Sequence, residues 1–222
     1  MAYIKIEGLV KVLNGNTVLD HIDFSLSSGK IYGLRGKNGC GKTMLLRAIC
    51  GLIVPTEGKI RINDKILHRD MGIPESIGAL IENPAFLGEY SGRENLRMLS
   101  SLAGYKDEAE IMRALERVGL TEECDKKYSR YSLGMKQKLG IANAIMNEPE
   151  IIILDEPINA LDEESVVVIR DSLFELRDKG KLIVIACHDR EELDFLSDEI
   201  YIMSHGKVIG KENTGNAEIA ET

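Results

Sequence analysis

The sequence predicts an α/β fold: a mixed or parallel sheet core built around a glycine-rich P-loop, with an N-terminal antiparallel β layer and a helical insertion. Three observations carry that prediction. Gly36 to Thr43 reads GKNGCGKT and fits the pattern G-x-x-x-x-G-K-[ST]. Its flanks are those of a strand and a helix: KIYGLR (Lys30 to Arg35) alternates apolar and polar residues, and Met44, Leu45, Leu46 and Ile49 recur at helical spacing until Gly51 stops them. Finally, IIIL (Ile151 to Leu154) and LIVIA (Leu182 to Ala186) are apolar on both alternating faces, as strands buried inside a parallel sheet are.

The remaining elements follow in chain order. Residues 2 to 12 alternate, and a second strand-like run covers Ile22 to Leu26 after the turn signal Asn14-Gly15-Asn16, which makes an antiparallel pair. GKIRIN (Gly58 to Asn63) reads as a further strand, with Asn63-Asp64 turning the chain back through Ile66 and Leu67. The first third is therefore expected to form one mixed β layer. IGALI (Ile77 to Ile81) is a short apolar run that ends at Glu82-Asn83-Pro84, where proline bars regular continuation. The texture then becomes helical. Ser91 and Glu94 make a capping box ahead of Leu96, Leu99, Leu102 and Ala103, and Ile111, Leu115 and Val118 form another stripe. Tyr131 to Ile145 reads as a helix capped by Ser132, with Met135, Leu139, Ala142 and Met146 on one face. Residues from about 88 to 147 are thus expected to be an insertion in a single domain spanning 1–222. A last strand is expected near Lys207 to Gly210, followed by a loosely ordered polar tail from Lys211 to Thr222 and no appended regulatory domain.

The chemistry concentrates at strand ends. Gly36, Gly39 and Gly41 let the loop curl, so that the backbone N–H groups from Lys37, Asn38 and Cys40 onward can wrap a phosphate chain. Lys42 is a point charge, Thr43 a hydroxyl ligand for magnesium, and the helix N-terminus behind them favours an anion. Asp155 and Glu156 directly follow the IIIL strand, at the strand end where open α/β sheets bind ligands. There one carboxylate can hold magnesium through water while the next orients or deprotonates an attacking water. His188 ends the LIVIA strand in line with them and reads as a phosphate contact. Cys40, inside the loop, is either a thiol activated by Lys42 and the N–H groups or a small residue that fits.

Composition excludes several classes. A net charge of −8 without a dense Lys/Arg stripe gives no footprint for tracking nucleic acid. No apolar run reaches the roughly 18 residues of a membrane span, and MAYIKIEG lacks the order of a signal peptide, so a cytosolic chain is expected. The four cysteines, Cys40, Cys50, Cys124 and Cys187, form no C-x-x-C pair and read as reduced thiols.

Ser132-Leu133-Gly134, set between the P-loop and the hydrophobic run ending in Asp155-Glu156, resembles the LSGGQ signature of ATP-binding cassette (ABC) ATPases. The resemblance covers nearly the whole chain: Gly36 to Thr43 is similar to the Walker A loop, Ile151 to Glu156 to Walker B, Asn159 to Asp162 to the D-loop and His188 to the switch histidine. It implies that Lys42 pairs with the β- and γ-phosphates of ATP, that Thr43 and Asp155 hold Mg2+, that Glu156 polarises the hydrolytic water and that His188 steadies the γ-phosphate. It also implies that Ser132 and Gly134 address ATP held by a second ATPase subunit, in a head-to-tail homo- or heterodimer. That dimer would drive a separate integral membrane permease from the inner face of the membrane, without nucleic acid. The alternative within the family is a soluble, non-transport ATPase. Several positions depart from the pattern. Glu82 stands where the family has a glutamine, able to touch magnesium but adding negative charge; Leu13 replaces the aromatic that stacks on adenine; Met44 replaces a second hydroxyl residue. Tyr131, Leu133 and Met135 depart from the usual signature, and with IGALIENPAF and GRENL they resemble the branch serving bacitracin- and lantibiotic-type exporters and immunity systems.

Overall fold

In the computed structural model, which describes residues 1–82 and 84–214, the strands of the first third divide between two sheets instead of forming one mixed layer. β1 (Tyr3–Leu13) and β2 (Asn16–Ser27) pair antiparallel across a turn whose central residues, Asn14 (φ 48°) and Gly15 (φ 80°), both take the left-handed conformation that a tight hairpin requires. That turn lets β2 begin at Asn16, well before the Ile22 expected from periodicity. Strand β4 (Glu57–Ile62) pairs with β1, and the short β5 (Lys65–Ile66) returns from Asn63-Asp64 to close a four-stranded antiparallel sheet in the order β2-β1-β4-β5. β3 (Lys30–Arg35) cannot join it. Its four central residues are all buried, whereas β1 and β2 bury one face and expose the other, so β3 needs cover on both sides.

That cover comes from a second sheet. With β6 (Ile77–Leu80), β7 (Ile151–Asp155), β8 (Leu182–Cys187), β9 (Glu199–Ser204) and β10 (Lys207–Asn213), β3 forms six strands in the order β10-β9-β3-β8-β7-β6. All neighbours are parallel except β10 on β9. The period of two then sorts the IIIL and LIVIA residues into two cores. Ile151, Ile153, Leu182, Val184 and Ala186 face the antiparallel sheet and helix α1 (Lys42–Ile49). Ile152, Leu154, Ile183, Ile185 and Cys187 face the remaining helices. These are α2 (Gly92–Leu102), α3 (Glu108–Arg117), α4 (Leu133–Ile145), α5 (Glu163–Asp178) and α6 (Arg190–Leu196).

The capping box at Ser91 and Glu94 and the Ser132 cap form as expected, the latter accepting from the Met135 N–H. Helices α5 and α6 and strand β9 are additions to the sequence expectation. Their signals are present, since Asp162 accepts from the Ser165 N–H and Ile169, Leu173 and Leu176 follow at helical spacing. The tail expected to be loose from Lys211 is corrected in part: Lys211 to Asn213 belong to β10, paired with Tyr201, Ile200 and Glu199. Residues 215–222 of that tail lie outside the described residues.

Glu199 fastens three strands at one edge. It accepts from Lys30 Nζ of β3 at 2.7 Å and pairs with Lys211 Nζ of β10 at 2.9 Å. Burial pushes its carboxyl up, but the hydrogen bonds from the two ammonium groups outweigh that and hold it below 4.5. A depressed carboxyl stabilises the fold above its unfolded pKa and loses that contribution as pH falls through the folded value. Glu199→Gln is therefore expected to cost about 1 kcal/mol at neutral pH, and the gap to wild type should close as urea midpoints are measured below pH 4.5. A gap that stays constant with pH would assign the loss to packing.

Candidate functional site

The P-loop leaves the C-terminal end of β3 and enters α1, and the conformation depends on glycine at two points. Gly41, the residue before the helix, sits at φ 111°, and a Cβ there would lie 2.9 Å from the Val18 carbonyl oxygen. A Cβ on Gly36 would lie 2.5 Å from both Cys40 Sγ and the Met203 carbonyl oxygen. Helix α1 has no side-chain cap and no acidic residue in its first turn. Each other α-helix described is capped by a serine or aspartate: Ser91, Asp107, Ser132, Asp162 or Asp189. The first N–H groups of α1 are thus left to an external anion. Lys42 is buried and folds back to donate to the Gly36 carbonyl at 2.7 Å, while Lys37, Asn38 and Gly39 form the exposed crest of the loop. Cys40 turns inward to pack in the core between the sheets, the placement of a small residue that fits.

The same period of two that sorts the cores places the carboxylates. Asp155 continues the Ile151–Ile153 side of β7, towards α1, and its Oδ2 accepts from Thr43 Oγ1 at 2.6 Å. Burial is the main cause that raises the Asp155 carboxyl, with Thr43 pulling the other way. A cation beside these two oxygens would reverse that balance. Both are hard oxygen donors, the type magnesium takes, so the pair fits that ion. Glu156 leaves the strand at φ 50°, a left-handed conformation uncommon for glutamate, and its N–H donates to the Ala186 carbonyl at 2.7 Å. Its carboxylate meets His188, with Oε2 2.8 Å from Nδ1 and 3.4 Å from the His188 backbone N–H.

Asn38, Gly39, Lys42, Thr43, Asp155 and Glu156 line a cavity of about 480 Å³. Glu82 also borders it, but its carboxylate is 2.7 Å from Arg47 on α1. Gln137 is a residue that sequence periodicity misses. It lies on the side of α4 opposite the Met135–Leu139 stripe and reads as solvent-facing, yet it is buried and donates to the carbonyls of Glu156 (2.9 Å) and Pro157 (3.1 Å). Ser132 and Gly134 stay outside the cavity. Ser132 is exposed at the N-terminus of α4, and a Cβ on Gly134 would lie 2.9 Å from the Ala160 carbonyl, so this helix end rests on the segment after β7. Leu13 lies at the end of β1, 38% exposed, with no aromatic face to offer a base.

Comparison with known proteins places this geometry among its relatives. The family model described as ABC transporter matches residues 19–159. The chain is 44% identical over 205 residues to the ABC transporter ATP-binding protein YybJ of Bacillus subtilis (strain 168), covering 92% of this chain and 94% of that one. It is 40% identical over 212 residues to the bacitracin transport ATP-binding protein BcrA of Enterococcus faecalis, with 95% and 69% covered. With the lantibiotic transport ATP-binding protein SrtF of Streptococcus pyogenes it shares 33% over 220 residues, covering 98% and 94%. Among solved structures, an ATP-binding subunit of an ABC transporter superposes with TM-score 0.86 at 26% identity, covering 98% of this chain and 92% of that one. A dimeric ATP-binding cassette bound to ADP and Pi matches the fold with TM-score 0.86 at 23% identity, covering 95% and 98%.

Proposed function

The chain belongs to the ABC transporter family and is an ATP-binding, ATP-hydrolysing subunit of that family; on that premise we propose that it closes head-to-tail on a second cassette to drive a separate membrane permease. The relatives' names support a transport partner, and peptide-antibiotic export or immunity is the setting those names suggest. No helix among the described residues is long and apolar enough to cross a membrane, which fits a cassette that docks on a permease at the inner membrane face. The observation that carries the dimer is the separation within one chain: the phosphate cavity holds Lys42, Thr43, Asp155 and Glu156, while Ser132, exposed, and Gly134, half-buried, lie outside it.

The residues then divide the work. The α1 N-terminus and Lys42 bind the β- and γ-phosphates, Lys42 exchanging its contact with the Gly36 carbonyl for phosphate oxygen. Thr43 and Asp155 would hold magnesium, which would supply positive charge against the terminal phosphates. Glu82 joins them only on release from Arg47. Glu156 accepts the proton of the attacking water, oriented from below by the Gln137 contact to its carbonyl, and His188 holds the carboxylate and reaches the γ-phosphate. From the opposing subunit, the Ser132 hydroxyl and the Gly134 backbone meet that phosphate. Such donors act only while ATP is present, so ATP closes the pair and hydrolysis releases it.

Light scattering of a Glu156→Gln variant tests this. Mg-ATP is expected to shift it from monomer to dimer, and Ser132→Ala together with Gly134→Ala should abolish the shift. A dimer that forms equally without nucleotide, or that ignores both signature changes, would sink the head-to-tail arrangement.

A further inference from the structure

We propose that Glu156, Cys187 and His188 form a binding site for a thiophilic divalent cation such as Zn2+, separate from the magnesium site, whose occupation switches hydrolysis off. One carboxylate oxygen, Cys187 Sγ and one imidazole nitrogen lie within 4.8 Å of one another. Bonds of about 2.0 Å to nitrogen and oxygen and about 2.3 Å to sulfur, at tetrahedral angles, put ligand pairs about 3.3–3.6 Å apart, so small side-chain shifts close the site on a metal. Two of the three ligand groups already touch. His188 Nδ1 is 2.8 Å from Glu156 Oε2, and the Asp189 N–H lies 3.4 Å from Cys187 Sγ.

Donor chemistry separates the two cation sites. Thr43 and Asp155 offer hard oxygens, whereas a thiolate, an imidazole and a carboxylate prefer zinc to magnesium. The exposed His188 edge opens the cluster to solvent, and a fourth position is left for water. Burial pushes the Cys187 thiol up to about 12, which makes it inert as a nucleophile. A coordinated cation reverses that preference; the thiol proton leaves to solvent as the S–metal bond forms. A metal held there occupies the carboxylate and the imidazole that hydrolysis uses. This last point rests on the catalytic assignment above; the binding site itself does not.

The test uses the full chain, stripped of metal and free of nucleotide, titrated with Co2+ as a spectroscopic stand-in. One equivalent is expected to give a near-ultraviolet thiolate-to-cobalt band that Cys187→Ser removes and His188→Ala weakens, although the buried Cys40, Cys50 and Cys124 are intact in both. Zn2+ should inhibit Mg-ATP hydrolysis by the wild type, and Cys187→Ser should need at least about tenfold more Zn2+ for the same effect. A band that survives in Cys187→Ser, or no band at all, overturns the site. Equal inhibition in both proteins also overturns it, placing zinc at Thr43 and Asp155 instead. A band without inhibition upholds the binding site but overturns the switch, and counts against Glu156 and His188 as the hydrolytic pair. Circular dichroism of Cys187→Ser establishes that the variant is folded.

Discussion

Glu156→Gln is expected to lower steady-state ATP turnover by about 10²–10⁴-fold while nucleotide binding persists. The carboxamide keeps the size of the side chain, the left-handed turn at residue 156 and the backbone contacts to Ala186 and Gln137. What it loses is an oxygen able to accept a proton from water. Single-turnover hydrolysis measured beside equilibrium ATP binding separates the two quantities. Turnover within a few-fold of wild type would move the base elsewhere in the cavity, with Glu82 the first alternative. Lost binding would mean instead that Glu156 shapes the phosphate pocket.

The second large effect is expected far from the phosphate. Gly78 lies in β6, where α4 crosses the sheet edge, and a Cβ there would overlap the Ala144 carbonyl oxygen and crowd Pro149. The obstacle is main chain, so no rotamer change relieves it. Gly78→Ala should destabilise the protein by about 3 kcal/mol, a fall in Tm of roughly 6–12 °C for a chain of this size. Gly72→Ala, with nothing within 4 Å of the added carbon, is the control and should shift Tm little. The damage should also reach the site, because the helix that must move carries Gln137 and Ser132. Calorimetry and ATPase rates on both variants would check this. A Gly78→Ala protein as stable as Gly72→Ala would show that α4 yields easily and does not hold Glu156 in place.

Residues governed by local rules were legible in the chain. The P-loop pattern, the caps at Ser91 and Ser132, the Asn14-Gly15 turn and the doubly apolar runs at β7 and β8 each act within a few positions of themselves. Asp155, Glu156 and His188 are legible together for the same reason, since Asp155 ends a buried strand and Glu156 and His188 directly follow one. Helices α5 and α6 and strand β9 go beyond the sequence expectation, although the caps and stripe of the two helices are as local as the others. Gln137 is a different case. Helical periodicity assigns it to solvent, and only the turn at Glu156 and Pro157 folding beneath α4 buries it and gives its amide two carbonyl partners.

By itself, then, the sequence determined the elements, the phosphate-binding chemistry and the order of the strand-end residues, because backbone propensity, glycine freedom and two-residue alternation are short-range effects. The tertiary structure decided how the first strands divide between two sheets, since the number of buried faces depends on which layers pack against them. It also decided that Arg47 holds Glu82, that Cys187 joins Glu156 and His188, and that Ser132 and Gly134 lie outside the cavity holding Lys42. Each of these depends on where segments distant in the chain come to lie, set by parallel register and helix packing, and no short-range pattern encodes it.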